Sequence, residues 1–451
     1  MNSLVRLAAL LLATCTLHAA QADPAFRVGA GKRVITPVEA MWMAGYASRT
    51  APSDGKIHDL HAKALVIEDA AGLQGVILTT DLIGIPKNIA VATATLIHDT
   101  YQIPRERVMI TASHTHCGPV MRDNLYGMYA LDPEQVNRIE AYTGAMPQML
   151  LDAVTAAMDN LEPATLTWGI GNAGFAVNRR EYTPGGVTNG ENPIGPVDHD
   201  VPVLAARRAD GSLKAVLFGY ACHNTTLSFQ QFCGDYAGFA QYGLEEAFPG
   251  ATALFATGCG ADANPLPRRT LELAQQYGAQ LGKAVESVLG GTMAPLNGPL
   301  KASFEEIPLE LSAPPTREQI EEQLKSEDVY IQRRAKTLLK TLDTRGALDT
   351  TYPYPVQIWQ FGDALQMTVL GGEVVVDYAL LLKHRLGREK QFVIAYANDV
   401  CAYIPSLRVL REGGYEGDTS MIYYGFYGPW APTIQDAILG SALKQTEALK
   451  E

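Results

Sequence analysis

Short apolar runs of strand length alternate with amphipathic helical stretches along most of this chain, and that alternation restricts the fold more than any other feature. Ala62–Ile67 and Gly75–Leu82, rich in Val, Ile and Leu around the turn Asp69–Gly72, read as a strand pair. Asn88–Tyr101 reads as a helix, Arg107–Ala112 as a buried strand and Pro133–Asn160 as a long helix. Strands are expected at Thr165–Gly169, Val201–Arg207, Lys214–Gly219, Ala253–Ala256, Val356–Phe361, Leu365–Leu370 and Phe392–Tyr396. Helices are expected at Ala237–Ala247, Leu271–Val288 and Val374–Leu386, with a charged surface helical pair over Thr316–Thr344. Pro and Gly punctuate Tyr182–Pro196, which reads as a surface loop. The pattern argues for an α/β fold, and the lack of a linker makes Asp23–Glu451 one domain.

Charge and composition exclude several classes. The 451 residues carry 36 Lys and Arg against 48 Asp and Glu, a net charge of −12, which is the wrong sign for a generic nucleic-acid binder. With 47% hydrophobic and 19% charged residues the chain is not disordered. Met1–Ala22 has one charge, Arg6, then the apolar run Leu7–Ala13 and the small-x-small stretch Ala20-Gln21-Ala22. That order reads as an export signal, with a mature chain beginning near Asp23 in a secreted or periplasmic location. Leu12-Ala13-Thr14-Cys15 faintly resembles a lipoprotein box, but Thr14 fits it poorly, so lipidation at Cys15 is the lesser reading. No later segment reads as a transmembrane helix. The cysteines at 15, 117, 222, 233, 259 and 401 form no CxxC pair; apart from a conceivable Cys222–Cys233 bond they read as small buried hydrophobes.

The sharpest chemical signal is Ser113-His114-Thr115-His116-Cys117-Gly118-Pro119, directly after the apolar run Arg107–Ala112. In extended backbone, residues two apart point the same way, so His114 and His116 converge at a strand end, where imidazoles are apt metal ligands. Alone, such a pair is as readily two solvated loop histidines. His223 follows Lys214–Gly219, and Glu373 follows Leu365–Leu370 through Gly371-Gly372, so further strand ends offer a histidine and a carboxylate. Glu373 otherwise reads as an acid at a helix N-terminus. Two histidines and a carboxylate suit a catalytic zinc site. His58, His61 and His199 precede strands and read as structural; His98 and His384 fall on helices and read as surface residues. GxSxG, GxGxxG, GxxxxGK[ST] and HExxH are all absent.

From about Val28 to about Pro429 these residues resemble the catalytic domain of the neutral (non-lysosomal) ceramidases, zinc amidases that cleave the N-acyl bond of ceramide. Val28-Gly29-Ala30-Gly31, Ile35-Thr36-Pro37 and Ala44-Gly45-Tyr46 resemble the family's opening. Ser113–Pro119 matches its SHTHSGP motif with Cys117 for Ser, and Val177-Asn178-Arg179 is similar to its INR segment. His223 falls in a match to its HP-T/V-S stretch, Gly372-Glu373 resembles its PGE, and Asn398–Tyr403 with Tyr415-Glu416-Gly417 resembles its NxYxxY…RYE region. The resemblance implies mixed β-sheets layered between α-helices and a Zn2+ ion held by His114, His223, Glu373 and Tyr403. It places His116 beside the metal-bound water or the reacting carbonyl, Arg179 at the substrate head and Tyr415 in the pocket. The function it implies is a secreted zinc amidohydrolase that cleaves a small-molecule or lipid N-acyl substrate, ceramide or a relative, with zinc-activated water. A zinc esterase or lactonase and a non-catalytic binding protein are the alternatives. Two departures stand out. Ala263 occupies the serine position of the family's GDVSPN hexapeptide, which excludes a seryl nucleophile there. The immunoglobulin-like domain that follows the catalytic domain in full-length ceramidases is not expected here.

Overall fold

The computed structural model describes residues 26–450; the signal stretch Met1–Ala22, Cys15 and the expected start at Asp23 lie outside them. A mixed nine-stranded sheet runs in the order Thr252–Thr257, Leu213–Tyr220, Asp200–Arg208, Glu162–Asn172, Phe26–Val34, His61–Asp69, Gln74–Thr80, Val108–Ala112, with the short Ala294–Leu296 paired to Glu162–Asn172. Only the pairs at its two ends are parallel. The sheet curls enough that these ends meet: the Thr257 hydroxyl donates to the Ala112 carbonyl at 2.9 Å. A smaller sheet, Leu300–Glu310, Thr351–Phe361, Leu365–Leu370 and Gln391–Ile394, packs against the inner face of the large one.

Side-chain alternation builds the layers. Leu65, Ile77, Met109, Leu217 and Leu254 face inward onto Trp359, Phe361, Met367 and Phe392 of the smaller sheet. Their neighbours Ala64, Val66, Val76 and Ile110 face outward onto the helices Lys87–Tyr101 and Pro133–Met158. Val203, Val216, Phe218 and Phe255 do the same against Asp235–Ala247 and Leu271–Leu289. The far face of the smaller sheet is covered by Val329–Arg345, Val376–Leu386 and Ile434–Ala448. The result is helices, sheet, sheet, helices, the layered α/β arrangement expected. Both sheet faces are covered, so strands read as nearly unbroken apolar runs.

Several expectations need correction. Tyr182–Pro196 is mostly a hairpin, not a loop: Ala176–Thr183 pairs with Gly186–Asn192, turned at Gly186 with φ 114°. Its second strand is largely exposed and polar, so no apolar alternation marks it. The helix expected from Val374 begins at Val376, because Glu373–Val374 pairs in parallel with Tyr403–Ile404 instead. Phe26–Val34, Leu300–Glu310 and Ile434–Ala448 had no clear sequence signal. The surface pair over Thr316–Thr344 appears as Arg317–Gln323 and Val329–Arg345, the first opened by a capping box at Thr316. Cys117, Cys222, Cys233, Cys259 and Cys401 are free and buried, so the conceivable Cys222–Cys233 bond does not form. No helix among the described residues is long and apolar enough to cross a membrane.

Candidate active site

Four chain segments separated widely in sequence bring their polar ends together where the two edges of the large sheet meet. His114 does not reach this point by simple strand alternation. The strand stops at Ala112, and His114 takes a left-handed conformation, φ 59°, which is costly for a residue with a Cβ. That turn, not an extended i, i+2 register, aims His114 Nε2 at His116 Nε2, 3.2 Å away. His223 arrives after Leu213–Tyr220, and the bridge Thr115–Asn224 ties the two histidine segments together. Glu373 arrives with Tyr403 directly opposite it in the two-residue parallel pairing. Gly372, at φ 71°, makes the turn before Glu373; a Cβ there would run into Ile404 and the Ala402 carbonyl.

The donor set is defined by which nitrogens carry protons. His114 Nδ1 donates to the Ile83 carbonyl at 2.6 Å and His223 Nδ1 to the Gly260 carbonyl at 2.9 Å. In its neutral form each ring then has only its Nε2 lone pair left to face the centre. Both lone pairs face one oxygen: Glu373 Oε2 lies 3.1 Å from His114 Nε2 and 3.2 Å from His223 Nε2. Tyr403 Oη is 3.2 Å from His223 Nε2 and accepts from Arg179 Nη2 at 2.9 Å. The other carboxylate oxygen of Glu373 accepts a short hydrogen bond from the Tyr424 hydroxyl. Burial, then Arg179, pushes the His223 imidazole down to about 4, so the ring is neutral at pH 7. Burial works to raise Glu373, but His114 and His223 beside it outweigh burial and keep its carboxyl well below the usual range. His114 and His223 lower Glu373 only as positive charges; with both rings neutral the buried Glu373 Oε2 has no donor, and a cation at this point supplies the positive charge instead. These residues therefore fit a divalent metal.

The tightest histidine cluster is His114, His116 and His223, with ligand atoms within 4.8 Å of one another, so His116 stands among the prospective ligands as well as beside them. His116 is 9% exposed, its Nδ1 has no partner, and burial then the neighbouring His114 hold it well below its ordinary value. Gly45, at φ 98°, lies against the His116 ring, where a Cβ would collide with it. Arg179 is buried, with Nε donating to Glu416 Oε1 at 2.7 Å. Tyr415 is half-buried, its ring 5.2 Å from that of Tyr403 and 5.7 Å from the Arg179 guanidinium.

Sequence reasoning missed several residues that hold this arrangement. Glu416 bridges Arg179 and Arg180, accepting from Arg180 Nη1 at 2.6 Å through its second oxygen. Asp262 accepts from the Val376 amide at 2.9 Å and from Asn178 Nδ2 at 3.2 Å, and burial raises it to about 7. Tyr424 and Tyr46 complete the aromatic surround. Among these only Tyr46, Asp262 and Glu416 lie inside stretches that resemble family motifs; Tyr424 had no signal. His58, His61 and His199 lie outside the cluster, His199 Nε2 meeting the Ala176 carbonyl at 2.9 Å. Ala263 pairs with Asn178 and its methyl belongs to the apolar cluster that includes Phe175, Tyr220 and Tyr277. A surface hollow of about 620 Å3 around Pro37, Ser53 and Asp59 shares no residue with the centre. A hollow of about 270 Å3 does adjoin it through Tyr424, lined also by Leu125, Tyr330, Ile422 and Tyr423.

The family model described as neutral/alkaline non-lysosomal ceramidase, N-terminal, matches residues 26–263, more than half of the chain. The chain belongs to this family. The matched region contains His114, His116, Arg179 and His223 but stops before Glu373, Tyr403 and Tyr415, which join the cluster only by the geometry above. Neutral ceramidase B of Dictyostelium discoideum is 24% identical over 239 residues, 51% of this chain and 33% of that protein, so the chain spans about a third of the curated relative it matches. The crystal structure of neutral ceramidase from Pseudomonas aeruginosa has the same fold, with a TM-score of 0.72 at 20% identity, covering 93% of this chain and 74% of that one. A ceramidase structure in complex with C2 matches equally, at 0.72 and 19%, covering 95% of this chain and 76% of that one.

Proposed function

We propose that this ceramidase-family chain is a zinc amidohydrolase that hydrolyses an N-acyl amide, ceramide or a related N-acyl lipid. The observation that carries this reading is the convergence of His114 Nε2, His223 Nε2 and Glu373 Oε2 at 3.1 to 3.2 Å, with both histidine Nδ1 atoms already bonded to carbonyls. His114, His223, Glu373 and Tyr403 would hold the metal. When bound, a divalent cation supplies Lewis acidity, polarising an acyl carbonyl and acidifying water.

The remaining roles belong to the side chains. Tyr424 fixes one oxygen of Glu373 and so leaves the other for the centre. Arg179, locked by Glu416, holds the Tyr403 hydroxyl and presents positive charge where the amide oxygen gains negative charge. In hydrolysis the C–N bond breaks, water oxygen goes to the acyl carbon, and a proton must reach the leaving nitrogen. His116, neutral and with Nδ1 unpartnered, would take the proton from water and return it to the amine. No serine is required; Ala263 packs in an apolar cluster. Export through the Met1–Ala22 stretch, giving a secreted or periplasmic protein, is part of the proposal, and N-terminal sequencing of protein from its host tests it.

The test of function is a panel of N-acyl amines, ceramide included, assayed with purified protein before and after chelation. Hydrolysis that chelation abolishes and stoichiometric zinc restores is expected. Hydrolysis indifferent to chelation, or none on any amide, overturns the reading.

A further inference from the structure

The rim of the centre on the His116 side carries guanidinium groups that no acid neutralises. Tyr46 lies against His116, ring centroids 4.8 Å apart. Arg269 sits 5.1 Å over the Tyr46 ring, and its Nη1 donates to the Tyr46 hydroxyl at 2.8 Å. Arg49 sits 5.3 Å from the same ring, and its Nη2 donates to the His116 carbonyl at 2.7 Å. Arg268 Nη1 reaches the Thr225 hydroxyl at 3.4 Å; that hydroxyl donates to Asn264 Oδ1 at 3.2 Å, the oxygen that also accepts from Arg179 Nη1 at 3.4 Å. Among the described residues, Arg49, Arg268 and Arg269 bond only to neutral partners. Asp235, the acid whose charge reaches Tyr46, is buried and accepts from the Leu227 and Tyr236 amides instead.

This crowding has a cost. Burial and then Arg269 and Arg179 close by hold the Arg268 guanidinium below its ordinary range. Arg269 keeps φ at 96°, a conformation unfavourable for any residue but glycine. Three arginines without a bonded acid, in a chain of net charge −12, make this side of the centre fit for an anion. The opposite side is different. Rings run from Tyr403 to Tyr415, Tyr423 and Tyr330 at centroid steps of 5.2, 6.3 and 5.1 Å, ending at a hollow lined by Leu125 and Ile422 and also by Asp123, Arg333 and Arg334.

Resting on the amidohydrolase reading, we propose that the leaving amine of the substrate carries an anionic group, a carboxylate, sulfonate or phosphate, held by Arg268 and Arg269. The products are then a fatty carboxylate and an amino acid or amino sulfonate or phosphate, with water supplying the oxygen and the proton on the released amine. The probes are N-decanoylglycine, N-decanoyltaurine and the neutral N-decanoylethanolamine, titrated calorimetrically against wild type and R268Q/R269Q, each variant checked for folding by circular dichroism. Wild type should bind both anionic probes about tenfold to a hundredfold more tightly than the neutral one, as expected of charge-assisted hydrogen bonds. The double variant should bring that ratio near one, and rising ionic strength should shrink it in wild type. Should the double variant not fold, R269Q should lower the ratio and R269K preserve most of it. Equal binding of charged and neutral probes by wild type, or a ratio unmoved in a folded variant, overturns the proposal. A preserved preference in protein that hydrolyses none of the probes upholds the anion site and removes the amidohydrolase reading instead.

Discussion

Two groups of histidines, one half-buried and one fully buried, differ in the partners that separate a chemical site from a structural one. His58 and His61 each find ordinary partners: His58 Nδ1 meets the Asp59 carbonyl at 3.1 Å and its Nε2 accepts from the Gly234 amide at 3.3 Å, while His61 Nδ1 faces the Tyr242 hydroxyl at 3.5 Å. His114 and His223 spend Nδ1 on a carbonyl in the same way, yet their Nε2 atoms face a carboxylate oxygen instead of a donor. Burial lowers His58, His61 and His223 alike. A depressed pKa alone therefore does not mark the site; full burial with ring nitrogens converging on a carboxylate does.

That contrast can be broken most directly by removing donors. A His223→Ala, Glu373→Ala double variant should lose bound zinc and all amide hydrolysis together. Elemental analysis finding one zinc per chain in that variant would sink the ligand assignment. His116→Ala should be next in size. If His116 moves protons, zinc stays and turnover falls by roughly 10²–10⁴-fold. Loss of zinc instead would make it a ligand, as its place in the tightest histidine cluster allows, and near-normal turnover would leave it only a packing role.

The pH dependence of stability sharpens the comparison from the other side. His223 is lowered from 6.5 to about 4, so below pH 6.5 the unfolded chain takes up a proton that the native ring resists. Stability is then present above 6.5 and lost as pH falls to 4, by about 3 kcal/mol for this group in metal-free protein. His58 and His61, also lowered, add loss of the same sign. Urea unfolding of chelated protein across this range checks it, and a flat profile contradicts burial of neutral imidazoles. The smallest effect is expected at the structural pair: His61→Gln should leave zinc content and turnover intact and cost about 1 kcal/mol, the ordinary value of one hydrogen bond. A change in metal content there would erase the distinction.

Much of this is legible in the amino-acid sequence. The strand–helix alternation, the run Ser113–Pro119 and the positions of His223 and Glu373 after apolar strands all depend on local pattern, which short-range backbone preference writes directly into sequence. The hairpin Ala176–Asn192 and the helix Ile434–Ala448 are not, because exposed polar strands and a helix whose apolar positions merely match a distant sheet carry little local signal. Tyr424 is invisible there for a similar reason: nothing near it in sequence resembles a site, and it matters only through its bond to Glu373, 51 residues away.

By itself, then, the sequence determined the layered α/β class, the family and which histidines to suspect, since these rest on periodicity and on contiguous motifs. The tertiary structure alone decided that residues 114, 223, 373 and 403 share one point, that His114 gets there through a left-handed turn, and that Arg269 and Tyr46 lie on one side of it and the rings of Tyr403 and Tyr415 on the other. Those outcomes depend on how far the large sheet curls before Thr257 meets Ala112 and on the Glu373–Tyr403 register, quantities fixed by the packing of two whole sheets and by no single stretch of chain.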